Sequence, residues 1–118
     1  EEVETIFQTQ DTNKHLGLRN RAMFETIYAC GLRVSELITL KINQVYFDQS
    51  ILRIFGKGRK ERLVPISDSA LDWIQKYLDA GRPLLTKGRM TDNTLFLNKS
   101  GKAMSRMGFW KILEKAAK

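Results

Sequence analysis

Residues 42–64 differ from the rest of the chain in the spacing of their apolar residues. Three short runs there, 42–47, 51–55 and 61–64, are rich in β-branched and aromatic residues, which favours strands. The connections between them are too short for a helical crossover, so the runs predict an antiparallel meander. The segments on either side have helical spacing. We therefore expect an α+β fold that is mainly helical and has one small three-stranded antiparallel sheet.

The segments outside these runs have the spacing or the end signals of helices. The predicted helices cover residues 2–9, 18–30, about 34–40, 67 or 68 to about 78, and about 105 to the end. Gly31 is placed to end the second helix, Ser105 to cap the last one, and Gly81-Arg82-Pro83 to break the fourth. A short extended piece is expected at 94–97. Trp110 is counted among the apolar positions of the last helix.

The length of 118 residues, with 42% hydrophobic and 28% charged residues, fits one compact globular domain. No apolar run approaches the roughly 20 residues needed to span a bilayer, and there is no signal-peptide pattern. Cys30 is the only cysteine, so an internal disulfide is excluded and a reducing, cytoplasmic setting is expected. The chain begins at Glu1 and ends without a helix-stop signal, which predicts a piece of a longer protein.

The excess of positive charge lies in the second half of the chain. The net charge is +7, and residues 1–58 contain seven Lys/Arg and seven Asp/Glu, whereas residues 59–118 contain thirteen and six. Such an excess attracts polyanions, so nucleic acid is a candidate partner. A solvated charged face is the alternative.

Arg33 stands in an apolar neighbourhood, after a helix-ending glycine and before a new helix. Its guanidinium is expected to be kept from bulk water and therefore to pair, and Glu36 lies one helical turn away. One interpretation is a buried Arg–Glu pair that fixes the corner between two helices. The other is a guanidinium presented to a phosphate, which its planar fork binds in a bidentate manner. This segment by itself leaves both open.

The predicted turn between the second and third strands is strongly basic, with Lys57, Arg59, Lys60 and Arg62 in or beside it. The glycines on either side of Lys57 allow a tight turn that leaves the lysine uncovered. The turn is either a solvated basic hairpin, which discourages edge pairing, or a loop held against a nucleic-acid backbone. It is not a Walker loop, because the Gly-x-x-x-x-Gly-Lys-Ser/Thr pattern is absent.

The last helix is predicted to be apolar on one side and basic on the other. Ser105, Arg106 and Lys111 can lie on or near the side opposite the apolar stripe. A helix of this kind fits a groove of duplex DNA. A solvated face is again the alternative.

Other catalytic chemistry finds little support in the sequence. His15 is the only histidine and lies in a predicted polar loop, so catalysis by Ser-His-Asp or Cys-His is not indicated. No cluster of His, Cys, Asp or Glu has metal-ligand spacing. Cys30 is interpreted as a small core residue. Tyr28 and Tyr77 at core-facing helical positions, and Tyr46 in a strand, are interpreted as structural.

Two motifs together resemble the catalytic domain of the tyrosine site-specific recombinases. They are Gly31-Leu32-Arg33-Val34-Ser35-Glu36-Leu37 and Gly56-Lys57-Gly58, the latter followed by Lys60–Pro65. The likeness is greatest to the bacterial Xer recombinases, to which the phage integrases are related. It extends to Leu16–Ala22 and Ser105–Lys111. The resemblance implies an enzyme that cuts and rejoins DNA through a 3′-phosphotyrosine intermediate. It implies no cofactor and no metal, because the bond energy is kept in the phosphotyrosine link.

The resemblance also implies roles for single residues. Arg33 would stabilise charge on the scissile phosphate, Lys57 would protonate the departing 5′ oxygen, and Glu36 would orient the active-site cations. The DNA contacts expected on the same basis are Arg59, Lys60, Arg62, Lys102, Ser105, Arg106 and Lys111. The implied partner is double-stranded DNA, with a recombinase tetramer assembled on two DNA sites and no membrane.

In this family a His-x-Leu-Arg-His motif and the nucleophilic tyrosine should follow Lys118, and a DNA-binding domain should precede Glu1. Residues 1–118 are therefore expected to be the N-terminal part of the catalytic domain, inactive alone but able to bind DNA weakly. The alternative is a non-catalytic DNA-binding module on the same scaffold. An RNA-binding protein is less favoured, since the aromatic residues mostly occupy core positions rather than an exposed sheet.

Overall fold

The computed structural model describes residues 2–56, 58, 60–89 and 92–118. In chain order its elements are α1 (Glu2–Gln8), α2 (His15–Cys30), α3 (Val34–Ile38), a 3₁₀ turn (Ile42–Gln44), β1 (Val45–Tyr46), β2 (Ile51–Phe55), β3 (Glu61–Pro65), α4 (Asp68–Lys76), a π-helical turn (Tyr77–Gly81), α5 (Arg82–Thr86) and α6 (Arg106–Ala116). The predicted fold, mainly helical α+β with one three-stranded antiparallel sheet, is confirmed.

The sheet is a meander with the strand order β1-β2-β3. Leu52 lies opposite Val64, and Ile54 lies opposite Arg62. Directly opposed residues of antiparallel strands point to the same face. Because Leu52 and Ile54 are buried, this register puts Arg62 on the face of the sheet that is turned toward the core.

The first strand is shorter than the predicted run of residues 42–47. Residues 42–44 form the 3₁₀ turn instead, and the Gln44 side chain accepts a hydrogen bond from the main-chain N–H of Lys41 at 2.7 Å. This side-chain bond satisfies the main-chain donor of the residue that precedes the 3₁₀ turn. Of residues 42–47, only Val45 and Tyr46 pair with β2.

Helix α2 is the central helix of the fold and contacts α1, α3, α4, α5 and the π-helical turn. Its residues Ala22, Met23 and Phe24 are fully buried. The ring of Tyr77 stacks on that of Phe96 with a centroid distance of 5.6 Å. The core therefore lies between α2, the sheet, α4 and the extended piece after α5.

The extended piece predicted at residues 94–97 is found at its two ends, with a bend at Leu95 and Phe96 between them. Thr94 pairs with Lys41, and Leu97 pairs with Ala103, each through an isolated antiparallel bridge. The piece is buried throughout, so it carries core residues although it is too short to join the sheet.

The chain does not break at Gly81-Arg82-Pro83, and that prediction is wrong. The π-helical turn Tyr77–Gly81 leads directly into α5, with the N–H of Arg82 bonded to the carbonyl of Tyr77. Pro83 is the second residue of α5, a first-turn position at which proline is tolerated. A Cβ on Gly81 would lie 3.2 Å from the main-chain oxygen of His15, so the glycine permits a close approach to α2.

Three predicted helix ends are confirmed. Gly31 adopts the left-handed conformation that ends α2, with φ of 62°. Ser67 and Ser105 accept hydrogen bonds from the main-chain N–H groups three residues on, at 3.2 and 2.9 Å. His15, however, begins α2 rather than lying in a loop.

Two aromatic residues expected on the core side are exposed. Tyr28 is 63% exposed in the last turn of α2, where its ring makes an edge contact with Phe7. Trp110 is 52% exposed because Phe109, one residue earlier, takes the core side of α6 and the helix turns by about 100° per residue. Cys30 is half-buried, and its burial raises the pKa of the thiol to about 11. No described helix has the length and apolar character needed to cross a membrane.

Candidate active site

The carboxylate of Glu36 is the centre of the candidate site. It lies in the first turn of α3, and its Oε1 accepts the main-chain N–H of Arg33 at 2.9 Å. The guanidinium of Arg62, on β3, holds the same carboxylate with both of its terminal nitrogens. The Nη1–Oε2 distance is 2.6 Å and the Nη2–Oε1 distance is 3.1 Å. One carboxylate thus connects the two sequence motifs.

The electrostatics of this pair follow from its burial and its hydrogen bonds. Glu36 is 7% exposed. The hydrogen bonds from Arg62 hold the pKa of the Glu36 carboxyl below its usual range; burial opposes this, and the N–H of Arg33 adds to it. The same hydrogen bonds raise the pKa of Arg62. Both groups are therefore charged at neutral pH.

The side chain of Arg33 is exposed, so the expectation that it is kept from bulk water is wrong. Arg33 precedes α3 with an extended backbone, φ −73° and ψ 153°. This conformation turns its N–H toward Glu36, and the pairing partner of that carboxylate is the side chain of Arg62. Within the described part of the chain, Arg33 forms no ion pair within 4.0 Å. An exposed guanidinium beside an anchored helix start is suited to an anion.

The basic turn begins against the Glu36–Arg62 pair. A Cβ placed on Gly56 would lie 3.9 Å from Nη1 of Arg62 and 4.0 Å from Oε2 of Glu36. The N–H of Gly56 donates to the carbonyl of Lys60 at 2.9 Å, which closes the turn. Lys60 is exposed. Lys57 and Arg59, which the sequence assigned to this turn, lie outside the described residues.

The other predicted DNA contacts lie on and just before α6. Lys102, Ser105, Arg106 and Lys111 are all exposed. Helix α6 contacts α3, the helix that Arg33 precedes. Met107 and Trp110 are exposed among these cations, 68% and 52%. The surface is therefore mixed, basic and apolar.

The pairing of Arg62 with Glu36 was missed by the sequence reasoning. That reasoning took Arg62 as one more cation of the turn and offered Arg33 as the partner of Glu36. The available signal was the strand register, because a five-residue turn that starts at Gly56 puts Arg62 opposite Ile54. No group of three or more His, Cys, Asp or Glu that could hold a metal occurs among the described residues.

Comparison with known proteins assigns the family. The model of the phage integrase family matches residues 1–118, and the chain belongs to this family. It is similar to proteins named tyrosine recombinase XerD: 41% identical over 118 residues to that of Listeria monocytogenes serotype 4b, strain F2365, and 46% identical over 109 residues to that of Pseudomonas putida KT2440. These alignments cover 100% and 92% of the chain. They cover only 40% and 36% of the relatives' own length.

The fold agrees with this assignment. The crystal structure of the XerH site-specific recombinase bound to its difH substrate, in a pre-cleavage complex, superposes with a TM-score of 0.78 at 25% identity. The superposition covers 98% of this chain and 34% of that one. The architecture described above is thus the one found in a recombinase bound to its DNA substrate.

Proposed function

We propose that this chain forms the N-terminal part of the catalytic domain of a site-specific DNA recombinase of the Xer type. Its relatives are about two and a half times as long, so the complete activity belongs to a longer protein in this proposal. Taken alone, the chain binds duplex DNA weakly and does not cleave it, because the covalent step needs a nucleophilic tyrosine. The complete protein acts as a tetramer on two DNA sites, in the cytoplasm.

In the proposed reaction a tyrosine oxygen bonds to the scissile phosphorus as the bond from phosphorus to the 5′ oxygen breaks. Arg33 stabilises the charge on the non-bridging oxygens. Lys57 gives a proton to the departing 5′ oxygen, and Glu36 orients the cations around it. The 5′ hydroxyl of another strand reverses the step, so no nucleotide cofactor is consumed.

The observation that carries the proposal is the bond of one carboxylate to both motifs. Glu36 binds the main chain of Arg33 and the side chain of Arg62, next to the first residue of the Gly-Lys-Gly turn. A purely structural corner between two helices would have no need of a basic hairpin. The exposed guanidinium of Arg33, which forms no ion pair with the residues that the structure describes, fits a site that holds a phosphate.

The basic surface is proposed to bind DNA through Arg59, Lys60, Lys102, Ser105, Arg106 and Lys111. Fluorescence anisotropy of a labelled duplex, titrated with the 118-residue chain at several salt concentrations, tests this. We expect the affinity to fall steeply with salt, by a logarithmic slope of about 0.9 for each phosphate contact. Removing Arg106 and Lys111 together should reduce that slope. Absence of binding at low ionic strength would reject the DNA-binding part of the proposal.

The reading frame that contains this chain distinguishes the recombinase from the alternative, a non-catalytic DNA-binding module. A His-x-Leu-Arg-His motif and a tyrosine downstream of Lys118 support the enzyme. A natural stop codon at that point instead leaves a DNA-binding module on the same scaffold.

A further inference from the structure

Arg62 is the cation of the basic hairpin whose contacts the structure defines best. Both of its terminal nitrogens bond to Glu36, at 2.6 and 3.1 Å, in a fork-to-fork arrangement. Its side chain is 47% exposed and that of Glu36 is 6% exposed. The carboxylate end of the pair is therefore the buried end, and it also holds the N–H of Arg33.

Arg62 is poorly placed to neutralise a DNA phosphate. Two of its five N–H groups are held by a carboxylate that is almost fully buried and that has, among the described residues, the N–H of Arg33 as its other hydrogen-bond donor. Turning the guanidinium outward would break both of these bonds. Leaving a buried charge without its partner is strongly unfavourable. Lys60 differs, since it is exposed and forms no ion pair with any described residue. Lys60 can meet a phosphate without giving up a contact.

The pair instead joins two parts of the site. Arg62 is fixed by the register of β3 with β2, opposite Ile54. Gly56, whose Cβ position is 3.9 Å from the Arg62 guanidinium, directly precedes Lys57 in the sequence. Glu36 belongs to the first turn of α3, which Arg33 precedes. The hairpin therefore cannot move relative to α3 without breaking the Glu36–Arg62 pair.

We propose that Arg62 is a positioning residue: through Glu36 it fixes the turn that starts at Gly56 relative to Arg33, and it does not contact DNA. This inference rests on the proposed function for its catalytic meaning. The contact itself is tested without DNA and without cleavage. The positioning role of Arg62 and the proposed function are therefore tested by different measurements, and one can fail without the other.

The first experiment follows backbone amides of the 118-residue chain by NMR. In Arg62→Met, Glu36 loses its charged partner, and the turn that starts at Gly56 is no longer tied to the start of α3. We therefore expect the amides of Arg33 and Gly56 to exchange with solvent about tenfold faster. The pH titration of the Glu36 carboxyl carbon should move to higher pH. Lys60→Met is the matched control and should change neither. Unchanged exchange at both amides in Arg62→Met would overturn the inference.

A conservative variant separates positioning from simple loss of charge. Arg62→Lys keeps the charge but has no fork, so it should restore the Glu36 titration in part and leave exchange at Gly56 raised. If Arg62→Met does not fold, Arg62→Lys carries the same comparison. Full restoration of both readouts by lysine would mean that charge alone matters and would overturn the positioning role.

The second experiment measures the salt dependence of DNA binding for the same variants. Lys60→Met should lower the logarithmic slope by about 0.9, the loss expected for one phosphate contact. Arg62→Met should leave the slope unchanged. An equal reduction by Arg62→Met would assign Arg62 to the DNA and overturn the inference. If the unmodified chain does not bind DNA, the proposed DNA binding fails, while the exchange experiment still decides whether Arg62 fixes the turn.

Discussion

The guanidinium of Arg19 donates a hydrogen bond of 3.2 Å to the main-chain carbonyl of Leu97, 78 residues further along the chain. Its Nε and Nη2 donate to the side-chain oxygen of Asn20 at 3.0 and 2.8 Å. Arg19 is 3% exposed and has no carboxylate within 4.0 Å among the described residues. Burial accordingly lowers the pKa of the guanidinium. This arginine connects α2 to the extended piece through neutral oxygens.

Replacing Arg19 by methionine should destabilise the chain by about 1–3 kcal/mol, because the carbonyl of Leu97 and the oxygen of Asn20 lose a charged donor inside the protein. Urea unfolding followed by circular dichroism measures this. Arg106→Met, an exposed change of the same type, is the control and should stay within about 0.5 kcal/mol. Equal effects of the two variants would contradict the structural role of Arg19.

Tyr77→Phe should also be destabilising, by about 1–3 kcal/mol. The fully buried hydroxyl donates to the carbonyl of Leu95 at 2.8 Å and accepts the N–H of Leu97 at 3.2 Å. Phenylalanine leaves the N–H of Leu97 without this acceptor and removes the shorter hydrogen bond to the carbonyl of Leu95, which also accepts Nε of Arg82 at 3.3 Å. The dependence of the unfolding free energy on pH above pH 9 supplies a second readout. Burial raises the pKa of Tyr77 to about 12, whereas an unfolded tyrosine titrates near 10.

The sign of this pH effect follows from proton binding. Between pH 10 and 12 the unfolded tyrosine has lost its proton and the folded one has kept it, so stability falls as the pH rises. Tyr77→Phe should remove this part of the fall. Parallel curves of unfolding free energy against pH for the two proteins between pH 9 and 12 would contradict the prediction.

Gly17→Ala should destabilise α2, although alanine favours a helix by about 1 kcal/mol over glycine. A Cβ there would lie 1.9 Å from the main-chain oxygen of Asp11, a contact that only a backbone shift can relieve. We expect a loss of about 1–3 kcal/mol, the range typical of overpacking. Gly108→Ala in α6 is the matched control, since its Cβ would meet only side-chain atoms at 3.0 and 3.1 Å, and its loss should be smaller.

Glu36→Gln should lower the unfolding free energy at neutral pH by about 1.5–3 kcal/mol, the range for hydrogen bonds to a charged group. The folded pKa of Glu36 lies below the unfolded value, which is about 4.3. Its contribution is therefore complete above that unfolded value and is lost as the pH falls through the folded pKa. The gap between wild type and variant should narrow below pH 4. A constant gap from pH 7 to pH 3 would show that the charge is not its cause.

Arg33→Ala, made in a complete recombinase that contains this chain, should abolish the covalent protein–DNA complex and leave site binding largely intact. The side chain is exposed and forms no ion pair with the described residues, so its removal should barely change stability. Denaturing gels measure the covalent complex and anisotropy measures binding. Loss of binding with normal cleavage per bound complex would contradict the assignment.

Local sequence signals predicted most of the secondary structure because they act within a few residues. Serine caps, a left-handed glycine and β-branched runs depend on neighbours at most four positions away. Ser67, Gly31 and the β2–β3 hairpin were all predicted correctly. The break expected at Gly81 is wrong, because the chain continues through a π-helical turn into α5. Gly81 also lies close to α2, with its Cβ position 3.2 Å from the main-chain oxygen of His15, and a sequence pattern does not show this contact.

The sequence by itself determined the fold class, the family and the two motifs that contain Arg33 and Lys57. Only the tertiary structure decided that Glu36 takes the side chain of Arg62, 26 residues away, and that Arg33 is left exposed. The spacing of residues within a helix predicts partners one turn apart, such as Arg33 and Glu36. The actual partner depends on which strand residue the sheet register turns inward, and that register is set by burial of Leu52 and Ile54 against the core.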